Sequence, residues 1–313
     1  MLSTTEFPLP SFAEVAIVGN AAGDWQPAET GVTFVFNGTR AQGDALTPDG
    51  RVINIANGPY AGVAAAFEVQ GSRHREALIA GLTATAQTLE KELGCWPSSG
   101  LTTLVLMART ATRLRVSRMS LLPSLARPPG MRAEQHLPCM VHNWLGERRI
   151  ALALAADLSP QQLDWPELYL ASPVSAQTLS TQALSTQALA NQGRSTQAFE
   201  PGFYAGLTSD PFPVLQALAK DKGDGAAEPA QGRLSTLDLL ANSGIDLWLQ
   251  HADDAKLRAA EALFFNQTPE LCPSVWYLVD NQASLRLDAI RQRLAYCQQR
   301  RLLAARNQNS ERK

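Results

Sequence analysis

Three short runs of β-branched and aromatic residues each stop at a neighbouring Asn and Gly, and this repeated ending constrains the fold more than any other feature. VAIV (15–18) closes on Gly19-Asn20, VTFVF (32–36) on Asn37-Gly38 and RVINIA (51–56) on Asn57-Gly58. Apolar runs of this length, with little polar alternation, suit strands buried on both faces, as in a parallel sheet. In open α/β sheets the carboxyl ends of the strands form the ligand-binding edge, so three polar turns there gather hydrogen-bonding side chains at one place. From Arg73 to Leu93 the residues Leu78, Leu82, Ala86 and Leu89 share one stripe, which predicts a long amphipathic helix. A second helix is expected from Leu101, and RLRVSRMSL (113–121) is a further strand candidate. The expected fold is α/β: a Rossmann-like parallel sheet with flanking helices, then a mostly helical C-terminal part.

The character of the chain changes after residue 165. SAQTL, STQAL and STQAL run in tandem from 175 to 189, and STQAF recurs at 195–199. Such segments lack the bulk and charge to build a core, and five-residue units are too short for solenoid repeats. The expected organisation is an α/β nucleotide-sugar-binding domain over 1–165, a low-complexity insertion and linker over 166–232, and a helical region over 233–313. KDKGDGAAEPAQG (220–232) reads as solvated linker, and the basic run near the C-terminus as an exposed helix end.

Composition removes several classes of function. The 313 residues are 45% hydrophobic and 18% charged, with a net charge of −2, which fits a soluble globular protein and not a nucleic-acid binder with a basic stripe. No apolar run reaches the ~18 residues of a membrane span. The N-terminus, MLSTTEFPLPSF, has no basic start or long apolar centre, and Cys95, Cys139, Cys272 and Cys297 include no CxxC pair. A cytoplasmic protein with reduced thiols is expected. VGNAAGD (18–24) lacks the G-x-G-x-x-G of dinucleotide enzymes, and Asn37 stands where an acidic residue would close the second strand, so a dehydrogenase is disfavoured. The chain also lacks a P-loop, a G-x-S-x-G elbow, an H-E-x-x-H helix and a D-x-D, so metal catalysis is not expected.

PSSGLTTLVLMA (97–108) places two serines and a glycine at the mouth of an apolar helix. The turn is either a plain serine cap or a cradle for an anion at the positive helix end. His142 is either a packed side chain beside Trp144 or a base, and ERR (147–149) reads as a solvated helix start.

Four marks in order resemble the sialyltransferase superfamily, in particular bacterial proteins similar to glycosyltransferase family 29. They are Gly19-Asn20 after the first strand, Phe36-Asn37 at the end of the second, Pro97-Ser98-Ser99-Gly100 before the apolar helix, and HNWLGE, with His142 five residues before Glu147. The resemblance spans roughly residues 14–155. The chain departs from the family pattern at Ala21, where GNG is usual, and at Val35, where an arginine is common. The resemblance implies a metal-independent enzyme whose donor substrate is a cytidine monophosphate (CMP)-linked sugar, with a glycan or other hydroxyl compound as acceptor and no separate cofactor. Gly19, Asn20 and Asn37 would meet the nucleoside, and Ser98, Ser99 and Gly100 the phosphate. His142 would be the general base of an inverting displacement, with Glu147 holding the adjacent loop. The alternative is a non-catalytic nucleotide-binding protein that keeps the fold.

Overall fold

A computed structural model describes Leu9 and residues 11–37, 51–58, 62–125, 142–173, 207–220 and 227–263, together with Tyr277 and 281–310. The STQAL repeats, Cys139 and Cys272 lie outside the described residues. The chain divides into two compact units, one of Met1–Pro123, His142–Tyr169 and Leu302–Lys313, the other of Ser124–Val141 and Leu170–Arg301.

The first unit is an α/β structure with a six-stranded sheet. Its strands are β1 (Phe12–Val18), β2 (Val32–Phe36), β3 (Val52–Asn57), β4 (Phe67–Gln70), β5 (Ala111–Ser117) and β6 (Leu163–Asp164). They lie in the order β4-β3-β2-β1-β5-β6. All neighbours are parallel except β3 and β4, so the sheet is Rossmann-like with one antiparallel edge strand. The chain leaves β1 toward β2 on one side and later returns to β5 on the other. The carboxyl ends of β1 and β5 therefore flank the switch point, where such sheets open a crevice.

The helices of this unit include α1 (Arg75–Leu93), α2 (Ser99–Met107) and α3 (Trp144–Asp157). Strand residues alternate between two clusters with the period of two that a pleated sheet imposes. Ile17, Phe34, Ile53 and Ile55 join Leu78, Leu82 and Ala86 of α1, Leu101, Leu104 and Met107 of α2, and Ala151 and Leu152 of α3. Val18, Val35 and Val52 form the second cluster, with Trp25 packed against it. Burying each such Ile, Leu or Phe is worth about 1.5–3 kcal/mol, so the helix-covered cluster carries most of this unit's stability.

The second unit is helical among its described residues: α4 (Pro211–Lys220), α5 (Ala227–Asn242), α6 (Ile245–His251), α7 (Asp254–Glu261) and the Asn281–Arg301 part of α8 (Asn281–Ser310). Fully buried Trp248 donates its indole N–H to Ser243 Oγ at 2.7 Å and meets the Phe212 ring edge-on. The helical part thus starts earlier than residue 233. α4 and the first turns of α5 occupy sequence read as insertion and linker, because Phe212, Leu215 and Leu218 give α4 an apolar stripe that the neighbouring polar segments disguise. The first unit likewise extends past 165, through the 3₁₀ turn Pro166–Leu168, whose Leu168 is fully buried.

Candidate functional site

The four sequence marks meet at the carboxyl edge of the sheet, where Met119 lies against Gly19 and Gly100 and Glu147 bonds Ser98. A Cβ on Gly19 would lie 2.9 Å from Met119 Cβ and 2.2 Å from the Arg118 carbonyl oxygen. A Cβ on Gly100 would lie 2.6 Å from Met119 Sδ and 3.9 Å from Phe36 Cε2. Close approach to backbone thus requires glycine at position 19, while at Gly100 the Met119 side chain would have to give way. Met119 is itself fixed by the Trp165 indole N–H, which donates to its carbonyl at 2.7 Å.

Ser98 caps α2 from an extended backbone, its Oγ accepting the Leu101 N–H at 3.2 Å. The Ser98 N–H donates to Glu147 Oε1 at 2.7 Å, and the Ser98 hydroxyl donates to Glu147 Oε2 at 2.6 Å. With those bonds made, the N–H groups of Ser99 and Gly100 are the two at the mouth of α2 that bond no described residue. They sit at the positive end of the helix dipole, suited to an anion. Ser98's hydroxyl is engaged on both sides, so its part is to hold the turn, and the donors left at the helix mouth are backbone groups. Ser99 Oγ donates to Asn57 Oδ1 at 3.3 Å, which ties the turn to the end of β3. Asn57 marks a strand end in the sequence, but nothing there signals this bond.

Glu147 lies in the first turn of α3 and is fully buried. Asn143 places it, capping α3 by accepting the Gly146 N–H at 3.0 Å and donating to the Leu93 carbonyl at 3.1 Å. Burial pushes the Glu147 carboxyl up to about 7, against the two Ser98 bonds that hold it down. The bland reading of ERR as a solvated helix start is corrected for two of its three residues. Arg148 is also fully buried, donating to the carbonyls of Ser120 and Leu168, and only Arg149 pairs near the surface, with Glu92 at 2.7 Å. A helix packed on both sides at its first turn does not show the polar stripe that spacing alone suggests.

His142 precedes α3 with its side chain 14% exposed. Its Nδ1 lies 3.1 Å from the Trp96 carbonyl and 4.0 Å from Glu147 Oε1, and its ring meets Trp144 edge-on. A carbonyl can only accept, so Nδ1 carries the proton and Nε2 keeps its lone pair. Burial lowers the imidazole's pKa, with the Trp96 carbonyl opposing, and a neutral ring is favoured. Ser98 and Glu147 are thus hydrogen-bonded to each other with His142 beside them, while Met119 lies against both Gly19 and Gly100. Asn20 and Asn37 stand exposed at the adjacent ends of β1 and β2, and Asn37 takes the left-handed conformation (φ 55°) that Asn tolerates.

Among the described residues no helix is long and apolar enough to cross a membrane. No protein-family model, curated protein or solved structure matches the chain.

Proposed function

We propose that this chain is a glycosyltransferase that moves a sialic acid-like sugar from a CMP-linked donor to an acceptor hydroxyl, with inversion at the anomeric carbon. One observation carries the proposal. At the carboxyl edge of a parallel sheet, two N–H groups that bond no described residue open the α2 turn gripped by Glu147, and His142, whose Nε2 keeps its lone pair, lies 4.0 Å from that carboxyl. Strand-end Asn20 and Asn37 supply donors and acceptors for the nucleoside. The Ser99 and Gly100 N–H groups take the phosphate, and Ser98 and Glu147 keep that turn in shape.

In the transfer the acceptor oxygen attacks the anomeric carbon as the bond from that carbon to the phosphate oxygen breaks. The electron pair leaves with CMP, and the acceptor proton passes to His142 Nε2. The low pKa of His142 keeps this nitrogen available near neutral pH. Phosphate departure is favoured by the helix end, where negative charge is stabilised as it develops.

Binding is the first test. CMP should stabilise the protein by about 2.7 kcal/mol at a hundred times its dissociation constant. Equal stabilisation by adenosine nucleotides would contradict a cytidine site. Cytidine-specific binding with no transfer to any acceptor would leave a nucleotide-binding protein without catalysis.

A further inference from the structure

Arg118 is the residue that the sequence motifs do not explain. It follows β5 directly, at the switch point, and its backbone has φ 56°, a left-handed conformation that disfavours side chains larger than Asn or Asp. Around it the β1–β2 loop is closely fitted. The Gly19 N–H bonds the Ser117 carbonyl at 2.8 Å, the Ala21 N–H bonds the Arg118 carbonyl at 3.2 Å, and Arg118 Nε donates to the Ala21 carbonyl at 2.5 Å. A Cβ on Gly23 would fall 3.1 Å from Arg118 Cγ. The Arg118 N–H is taken by Glu167 Oε1 at 3.0 Å. One of the five guanidinium donors is thereby used, and its two amino groups have no hydrogen-bond partner among the described residues. A strained backbone kept at the carboxyl end of β5, beside the switch point, points to a use for the side chain it carries.

We infer that Arg118 recognises an anionic group of the ligand held at the carboxyl edge, pairing its two amino groups with a carboxylate or phosphate. This rests on the donor reading above and goes beyond it, since it adds a cationic fork next to Asn20, where the resemblance implies only neutral contacts. Arg suits the task because its planar fork meets two oxygens at once, and the bond from Nε to Ala21 holds that plane in place. The ligand oxygen has two sources: the phosphate of CMP, or the carboxylate of an acidic sugar attached to it.

The experiment titrates wild type, Arg118→Lys and Arg118→Asn with cytidine, CMP and a CMP-linked acidic sugar, and records melting temperatures without ligand. Asn tolerates the left-handed backbone, so Arg118→Asn should melt no lower than wild type. It should bind cytidine normally and lose roughly ten- to hundredfold affinity for the anionic ligands, with Arg118→Lys in between. Loss on CMP identifies the phosphate, and loss on the acidic sugar alone identifies the carboxylate. Either result supports the inference. Equal loss on all three ligands, or loss on none, overturns it, because Arg118 would then only shape the loop or do nothing for binding. If wild type binds none of them, the donor reading fails, and Arg118 is judged with inorganic phosphate and citrate. Stabilisation of wild type but not of Arg118→Asn still supports an anion site, and any other result overturns it.

Discussion

Glu147→Gln separates the cost of a buried carboxylate from the hydrogen bonds that hold the α2 turn. Glu147 has no exposed surface, and its pKa rises from 4.5 to about 7, with burial as the largest cause. The folded pKa lies above the unfolded one, so the folded protein binds more protons between these values. Stability is fully present below 4.5, falls as pH rises toward about 7, and is level beyond it. At 1.36 kcal/mol per pKa unit, the span amounts to about 3 kcal/mol. Glutamine has the same shape. Its carbonyl oxygen accepts the Ser98 N–H, and its amide nitrogen donates to the second lone pair of Ser98 Oγ, so both links to the turn survive. The Ser98 O–H loses its acceptor, a cost that does not vary with pH, so the pH-dependent part of the difference is the titration alone. Urea unfolding followed by tryptophan fluorescence, on both proteins from about pH 5 to about pH 8, gives the comparison directly. Wild type should lose about 2–3 kcal/mol relative to the variant across that range, most of it before neutrality. A difference that stays constant, or that favours wild type as pH rises, would refute the reasoning.

Gly19→Ala and Gly100→Ala probe the two close approaches around Met119. At Gly19 the new methyl meets a backbone carbonyl at 2.2 Å, which cannot move without breaking the β1–β5 contact, so a loss of about 3 kcal/mol or more is expected in thermal melts. At Gly100 it meets the thioether of a flexible side chain, so the cost should be only about 1–2 kcal/mol. The displaced Met119 also contacts Gly19, and stabilisation by CMP should be lost together with the packing.

Much of the sheet was legible because its strands are buried on both faces. Continuous β-branched and aromatic runs such as VTFVF, closed by Asn-Gly, favour a buried strand, and β2 spans the predicted residues. The same is true of α1, whose stripe Leu78, Leu82, Ala86 and Leu89 is buried as spaced. Short edge strands escaped: β4 has four residues and β6 two, too few to show any period. β5 was expected to run to 121 but ends at Ser117, since the left-handed turn at Arg118 breaks an otherwise strand-like sequence. The site was legible as residue types in order. What spacing could not show is long-range: that Glu147 grips Ser98 from 49 positions away, that Arg148 is buried, and that Met119 is the neighbour the two glycines share. These contacts depend on how α3 returns to the start of α2, which no local pattern encodes.

Transfer of sugar by wild type and by His142→Gln tests the central claim most directly. Gln keeps a polar side chain at the Trp96 carbonyl but cannot take a proton near neutral pH. The contribution of His142 belongs to the transition state, so affinity for CMP should be nearly unchanged while the rate of transfer falls by ~10²–10⁴-fold. The wild-type rate should rise with pH through a group titrating below the ordinary histidine value, because burial lowers the His142 pKa and only the neutral ring accepts the proton. A His142→Gln protein as fast as wild type, with the same pH profile, would contradict the assignment of His142 as the base.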